Sequence, residues 1–211
     1  MKKTEIVEQE NNGDKYLTIT SESTGIFKDK GSRFLAFAYP VQSEETVKEI
    51  IARLKKEHHS ARHHCYAWRI GTETIQFRAN DDGEPSSTAG KPILGQLLSF
   101  NVTNTLIVVV RYFGGTLLGA SGLINAYKSA AADALTNAKI VEETIEKHCL
   151  LQFSYNEMAE VMNTIKQEEL TLVSTKFESK CELCFSVRKN ELQRVIDRFE
   201  KIYGVKVSQV D

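Results

Sequence analysis

The stretch Thr105–Leu135, TLIVVVRYFGGTLLGASGLINAYKSAAADAL, decides how the chain is read. Leu106 to Val110 is a run of apolar, mostly β-branched residues, the pattern of a strand covered on both faces. After Gly122 the spacing changes. Leu123, Ala126, Tyr127, Ala130, Ala131, Ala134 and Leu135 recur at helical intervals and predict an amphipathic helix. Between strand and helix lie Arg111, Tyr112, Phe113 and the glycines Gly114, Gly115, Gly119 and Gly122, placed where a side chain would obstruct a sharp turn or a close approach. The loop follows neither the Gly-x-Gly-x-x-Gly nor the Gly-Lys-Ser/Thr spacing, so the nucleotide fingerprints fail. Two roles remain open. Its backbone N–H groups and the following helix N-terminus favour an anion such as phosphate, with Arg111 at the entry; alternatively the glycines serve packing and turning alone.

Working outward, 211 residues hold one large domain or two small ones, and either buries a real core. With 41% hydrophobic and 26% charged residues, the composition is that of a globular chain. Met1-Lys2-Lys3 is followed by Thr4, Glu5 and Glu8 rather than an apolar core, which is not a signal-peptide pattern, and no apolar run approaches the ~20 residues that span a bilayer. The expected location is the cytoplasm, with no membrane partner. Four cysteines are too few for a disulfide scaffold and suit a reducing compartment. A net charge of −1 argues against coating nucleic acid by bulk electrostatics, so any basic site must be local.

In chain order, Tyr16–Thr20 alternates like a strand, Ser23–Gly31 is polar and glycine-bearing like a turn, and Arg33–Val41 is a strand stopped near Pro40. Ser43 caps a helix that carries Glu44 and Glu45 in its first turn, Val47, Ile50, Ile51 and Leu54 inward, and Lys55 and Lys56 near its end. Cys65–Ile70 and Ile75–Ala79 form a hairpin across Gly71-Thr72-Glu73. Asn80–Ser87 is a polar turn. Thr88 then caps a helix with Pro92 in its first turn and Ile93, Leu94, Leu97 and Leu98 inward.

Past Ala138 the pattern restarts as strand, helix, two strands, helix and strand, over Ile145–Tyr155, Met158–Glu168, Leu170–Ser179, Cys181–Val187, Leu192–Tyr203 and Val205–Val210. This β-α-β-β-α-β order is the ferredoxin-like unit. The expected domains are therefore 1–137, with net charge +1, and 138–211, with net charge −2. The second has little glycine and no motif, and reads as a binding or scaffolding module.

Three further stretches bear on chemistry. In EHHSARHHCYAW, His58, His59, Arg62, His63 and His64 stand between a helix end and a strand. A helix reaching that far would put His59 and His63 on one face for a metal, although the glutamate of a zincin motif is missing; a strand starting at His63 puts His63 and Cys65 on one face and His64 on the other. Structural histidines and a partner-binding basic patch are the other options. Asp81, Asp82 and Glu84 crowd one tight turn, where they would hold Mg²⁺, act as an acid and base pair, or bond local N–H groups and favour the next helix start. Cys181-Glu-Leu-Cys184 hints at redox or zinc chemistry, but in a strand its cysteines point to opposite faces, and no second such pair completes a zinc site. No metal and no cofactor is expected.

Taken together, Lys30-Gly31-Ser32-Arg33-Phe34, Ala61-Arg62-His63-His64-Cys65-Tyr66-Ala67, Asp81-Asp82-Gly83-Glu84-Pro85 with Thr88-Ala89-Gly90-Lys91-Pro92, and Val109-Val110-Arg111-Tyr112-Phe113-Gly114-Gly115 with Leu118-Gly119, Gly122-Leu123 and Ala126-Tyr127 resemble the IMPACT family, its bacterial YigZ type in particular. The resemblance covers essentially the whole chain. It implies an α+β fold of two domains: an N-terminal α/β domain of the ribosomal-protein type, like domain four of elongation factor G and with a left-handed βαβ crossover, and a C-terminal ferredoxin-like βαββαβ domain. Ser87 and Ser121 stand where the family commonly has glycine, each adding a Cβ where the backbone would favour positive φ or a close ligand. The resemblance also implies a link to translation. Eukaryotic members regulate it by competing for a large ribosome-associated partner of a stress kinase, and bacterial members are expected to touch RNA or the ribosome.

Three function classes follow. The first is a non-enzymatic regulator, expected to be monomeric, that binds ribosome or structured RNA through a cleft formed by Arg33, His63, His64, Asp81, Asp82, Glu84, Thr88, Lys91, Arg111, Tyr112, Gly114, Gly115, Gly119 and Gly122. The second binds a protein partner through the same cleft without RNA contact. The third is a hydrolase using His63 or His64 with Asp81, Asp82 or Glu84, which no Ser or Cys nucleophile motif supports. In the first class, Arg111 and Lys91 assist a phosphate at the glycine loop; the competing expectation pairs Lys91 with Asp81, Asp82 or Glu84.

Overall fold

The structure, a computed structural model, describes residues 9–10 and 13–210. These fall into two compact units, 9–10 with 16–143 and 13–15 with 144–210.

The first unit contains strands β1 (Gln9–Glu10), β2 (Lys15–Ile19), β3 (Ser23–Asp29) and β4 (Ser32–Pro40), helix α1 (Glu44–Glu57), β5 (His63–Ile70), β6 (Thr74–Asn80), α2 (Gly90–Ser99), β7 (Thr105–Tyr112), α3 (Gly119–Thr136) and β8 (Ile140–Thr144), save that the end residues Lys15 of β2 and Thr144 of β8 fall in the second. Its main sheet runs β1-β6-β5-β7-β4-β3, and β2 pairs with β8 in a separate two-stranded sheet. Both β4 and β5 are antiparallel to β7, so the crossover β4-α1-β5 joins two parallel strands around a strand that comes later in the chain. Side chains alternate across β7 to serve two cores. Leu106, Val108 and Val110 pack with Val47, Ile50 and Leu54 of α1, while Ile107 and Val109 pack with Ile93 and Leu97 of α2 and the alanine face of α3.

Local rules account for α1, where Ser43 Oγ accepts from Thr46 N at 3.2 Å, the acids Glu44 and Glu45 fill the first turn and Lys55 and Lys56 the last. Elsewhere the structure corrects the sequence. Ser23–Asp29 is an edge strand and not a turn, which is confined to Lys30 and Gly31; Gly25 sits on that strand because a Cβ there would lie 2.3 Å from the backbone N of Ala134 on α3. Helix α3 begins at Gly119, so Gly119 and Gly122 belong to its first turn and the open loop is 113–118. Leu98 is 47% exposed, facing outward while Ile93 and Leu97 fill the core.

The second unit contains β9 (Glu146–Phe153), α4 (Met158–Gln167), β10 (Thr171–Phe177), β11 (Cys181–Arg188), α5 (Leu192–Glu200) and β12 (Lys206–Val210). The sheet order β10-β11-β9-β12, antiparallel throughout, is that of a ferredoxin-like unit. Both helices cover one face: Val161 and Ile165 of α4 and Val195 and Phe199 of α5 join Cys149, Leu151, Leu183 and Phe185 in a single core. Glu168, after α4, pairs with Arg194 at 2.7 Å and with Arg198, both on α5. Cys181 is buried in that core and Cys184, three residues on, lies on the other face.

One contact fixes where the loop after β7 begins. The Lys30-Gly31 turn, with φ of 43° and 81°, joins β3 to β4 and lies against Gly114, whose added Cβ would stand 2.0 Å from the carbonyl carbon of Gly31. Gly114 N also donates to the buried Ser32 Oγ at 3.1 Å. A Gly114→Ala change therefore forces two backbones apart, and we expect a loss of about 2 kcal/mol or more in urea unfolding, seen as a lower midpoint at unchanged slope.

Candidate functional site

The site forms at one end of β7. Its residue Arg111 pairs across the sheet with Phe34 on one side and His63 on the other. By alternation Arg111 points to the α3 side, where the acidic turn after β6 meets it. Arg111 Nη1 donates to Glu84 Oε1 at 2.6 Å, and the two side chains are 7% and 3% exposed. Tyr127 of α3 donates its hydroxyl to the same Glu84 oxygen at 2.8 Å, and the Cys65 thiol has two acceptors in reach, Asp81 O at 3.0 Å and the Tyr127 oxygen at 3.3 Å. The guanidinium carbon stands 5.5 Å from the ring centroids of both Phe34 and Phe113. Burial pushes the Cys65 thiol and the Tyr127 phenol well above their ordinary values, so neither supplies an anion near neutral pH.

The other two carboxylates of the turn face away from this pair. Asp81 Oδ1 accepts from Ala89 N at 3.0 Å and Gly90 N at 2.8 Å, and Oδ2 accepts from Ser87 N at 2.9 Å. It therefore does the capping expected of Thr88, whose hydroxyl donates to Pro85 O at 2.7 Å instead. Asp82 binds Lys55 Nζ at 3.0 Å and the backbone N of His64 at 2.7 Å. The turn is held in unusual conformations, with φ of 40° at Asp82, 90° at Gly83 and 65° at Ser87. Ser87 thus occupies a left-handed position that glycine adopts at lower cost. Ser121 lies within the first turn of α3.

A cleft of about 770 Å³ opens over the Arg111–Glu84 pair, lined by Ser60, Arg62, His63, Glu84, Pro85, Arg111, Tyr112, Phe113, Leu117, Leu118, Gly119, Ala120 and Leu123. Among the expected site residues, His63, Glu84, Arg111, Tyr112 and Gly119 line it. Arg33 lies over the Tyr112 ring at 5.2 Å, and the Tyr112 hydroxyl meets His58 Nδ1 at 2.8 Å. Gly114 and Gly115 shape the loop at its rim, Gly115 with φ of 88° and Gly119 with φ of 71°. Gly122 faces Leu118, where a Cβ would come to 3.0 Å. The residues His64, Asp81, Asp82 and Thr88 are absent from the lining; the last three belong to the turn after β6, and His64 lies on β5. Lys91, exposed on the first turn of α2, makes no ion pair among the described residues and is absent from the lining. Arg111 is thus tied to Glu84 and Lys91 stands apart, so the two do not converge on one phosphate.

The sequence left Phe113, Leu117 and Leu118 out of the cleft. Phe113 is 55% and Leu117 82% exposed, and an apolar residue beside a buried strand carries no signal of that. The N-terminus of α3 has no side-chain cap and no acid in its first turn. His63 and Cys65 do share a face of β5, with His63 Nδ1 against Asp82 O at 3.0 Å, and α1 ends at Glu57, short of His59. Among the described residues no group of three or more His, Cys, Asp or Glu side chains gathers to hold a metal, and no helix is long and apolar enough to cross a membrane.

Fold and cleft together define a two-unit α+β protein with a ferredoxin-like second unit and an open, glycine-rimmed cleft in the first. The family model described as the Impact N-terminal domain matches residues 30–135, which contain every element of that cleft. The IMPACT family member YvyE of Bacillus subtilis (strain 168) is 32% identical over 176 residues, 83% of this chain and 81% of the relative. Its counterpart YigZ of Escherichia coli (strain K12) is 32% identical over 168 residues, 79% and 82% of the two chains. A crystal structure titled only as that of a hypothetical protein superposes with a TM-score of 0.69 at 27% identity, covering 94% of this chain and 98% of the other. The chain belongs to the IMPACT family.

Two outcomes test this geometry. Replacing Glu84 by Gln leaves the Arg111 charge buried without its counter-ion, and we expect a loss of about 3 kcal/mol or more, most of it recovered when Arg111→Met is added, because the cost lies in the unpaired charge. The second concerns His64, 4% exposed. Burial pushes its pKa below the ordinary 6.5, Asp82 opposes that, and Lys55 and His58 add to it. The unfolded chain then binds a proton that the folded one refuses, so this part of the stability is full above about pH 6.5 and is lost as pH falls below it. Urea midpoints measured from pH 7 to 5 should fall less steeply in His64→Asn than in the wild type.

Proposed function

We propose that the protein is a translation-associated regulator that works by binding, without chemistry of its own, and that its cleft engages ribosomal or other structured RNA. The link to translation comes with the family. What supports RNA is the charge of the cleft: the lining offers the exposed Arg62, while its one carboxylate, Glu84, is closed off in a pair with Arg111. The uncapped N-terminus of α3 adds partial positive charge. On a chain of net charge −1 this is a local basic site.

A hydrolytic reading has less support. Asp81 and Asp82 are engaged by backbone N–H groups and Lys55, Glu84 is held by Arg111 and Tyr127, and the Cys65 thiol is buried with its pKa raised. A protein partner is the second reading, favoured by the exposed Leu117 at the rim.

The test is capture from native lysate with and without RNase, followed by titration of the captured RNA against salt. The RNA reading expects RNase-sensitive capture and a linear fall of log K with log salt. In the variant Arg62→Gln, affinity should drop and the slope should fall by roughly one unit, at unchanged melting temperature. Capture that survives RNase and barely responds to salt would transfer the cleft to a protein partner.

A further inference from the structure

We propose that Phe113 is a stacking platform for an unpaired nucleobase, so that the cleft selects single-stranded segments of RNA over duplex; this rests on the RNA reading above.

Phe113 is the first residue past β7, and 55% of it is exposed at the mouth of the cleft. An aromatic ring left in water is common enough. This one is held in two ways. Against it lies the Arg111 guanidinium, at 5.5 Å from its centroid, and that guanidinium is itself held by Glu84 and lies 5.5 Å from the ring centroid of Phe34. The backbone just after it is pinned where Gly114 meets Gly31 and donates to Ser32 Oγ. A ring ordered before a ligand arrives loses little entropy on binding, which suits a stacking surface.

The surroundings name the ligand. Stacking satisfies only the face of a base; its phosphate needs positive charge within one nucleotide's reach. Arg62 and the open N-terminus of α3, at Gly119 and Ala120, line the same cleft as Phe113. No carboxylate in the lining competes, because Glu84 is only 3% exposed and paired. A paired base inside an A-form helix has both faces covered by its neighbours, so the helix offers phosphates, 2′-hydroxyls and base edges but no free face. An unpaired one, in a loop, bulge or single strand, offers a face and a phosphate. Duplex should accordingly meet the charged part of the cleft and leave Phe113 unused.

The experiment uses the full chain, a fluorescent single-stranded RNA of about 12 nucleotides and the blunt duplex of the same sequence. Phe113→Leu keeps apolar surface and removes the π face; Phe113→Trp keeps both and adds a probe, since the one native tryptophan, Trp68, is buried. We expect the wild type to bind the single strand more tightly than the duplex. Phe113→Leu should weaken the single strand about tenfold with an unchanged salt slope and leave duplex binding as it was, whereas Phe113→Trp should retain single-strand affinity and show its indole emission quenched on RNA addition. Arg62→Gln should instead lower the salt slope. If Phe113→Leu binds the single strand as the wild type does while Arg62→Gln weakens it, the stacking proposal falls and the RNA reading stands. If the wild type binds neither RNA, the RNA reading falls and the stacking proposal with it.

Discussion

The ion pair between Arg111 and Glu84 is the constraint on which the first unit depends. Removing two charges from water costs several kcal/mol each, and an isolated pair recovers that only with good geometry and additional hydrogen bonds. Here Nη1 and Oε1 are 2.6 Å apart, Tyr127 gives Glu84 a second donor, and the aromatic faces of Phe34 and Phe113 flank the guanidinium. The pair ties together segments far apart in sequence: the end of β7, the turn after β6, α3 through Tyr127, and β5 through the Cys65 thiol. Apolar side chains of similar volume would hold those segments as well. They would not put a guanidinium, paired and fixed in direction, against the ring of Phe113.

The acidic turn divides its carboxylates among three tasks. Asp81 replaces the missing local cap of α2, and its charge at that N-terminus offsets the unfavourable placement of Lys91 in the first turn. Asp82 reaches back to Lys55 of α1 and to the His64 backbone, joining helix and strand. Glu84 completes the buried pair. The left-handed residues Asp82, Gly83 and Ser87 send these side chains in different directions within a few residues of chain. Three carboxylates close in sequence therefore do not make an acid and base pair, because the turn points them at different partners.

What was legible in the sequence was whatever burial writes as a period. The apolar run of β7, the 3.6-residue spacing of α1 and α3, and the strand and helix order of the second unit all reappear in the structure. What misled was composition shaped by a distant neighbour. In Ser23–Asp29, STGIFKD, the glycine serves the close approach of α3, and glycine among polar residues looks the same whether it marks a turn or a contact. β8, which pairs with β2, was likewise invisible, because its partner lies more than a hundred residues away. Thr88 was the adjacent candidate for a cap, yet the cap comes from Asp81, eight and nine residues before the N–H groups it accepts. The site divides the same way. Polar residues such as His63, Glu84, Arg111 and Tyr112 stand out against an apolar strand, whereas Phe113 and Leu117 do not, since their exposure is decided by where β7 stops and where Gly31 holds Gly114.

That exposure shapes the chemistry of the cleft more than its charge does. With Arg111 closed by Glu84, the attraction open to an anion comes from Arg62 and the first turn of α3, a short-ranged field that salt screens within about 8 Å. So weak a field brings a polyanion to the surface without telling one from another. Discrimination has to come from contacts that work only at close range, and those facing the cleft are apolar: Phe113, Leu117, Leu118 and Leu123. A ligand that is charged but has no free apolar face gains only the first contribution, and an apolar peptide without negative charge only the second. On the proposed reading, a cleft whose cation lies buried against the Phe113 ring rewards the two together, and the Arg111–Glu84 pair contributes by backing that ring while keeping its own charge from dominating the field.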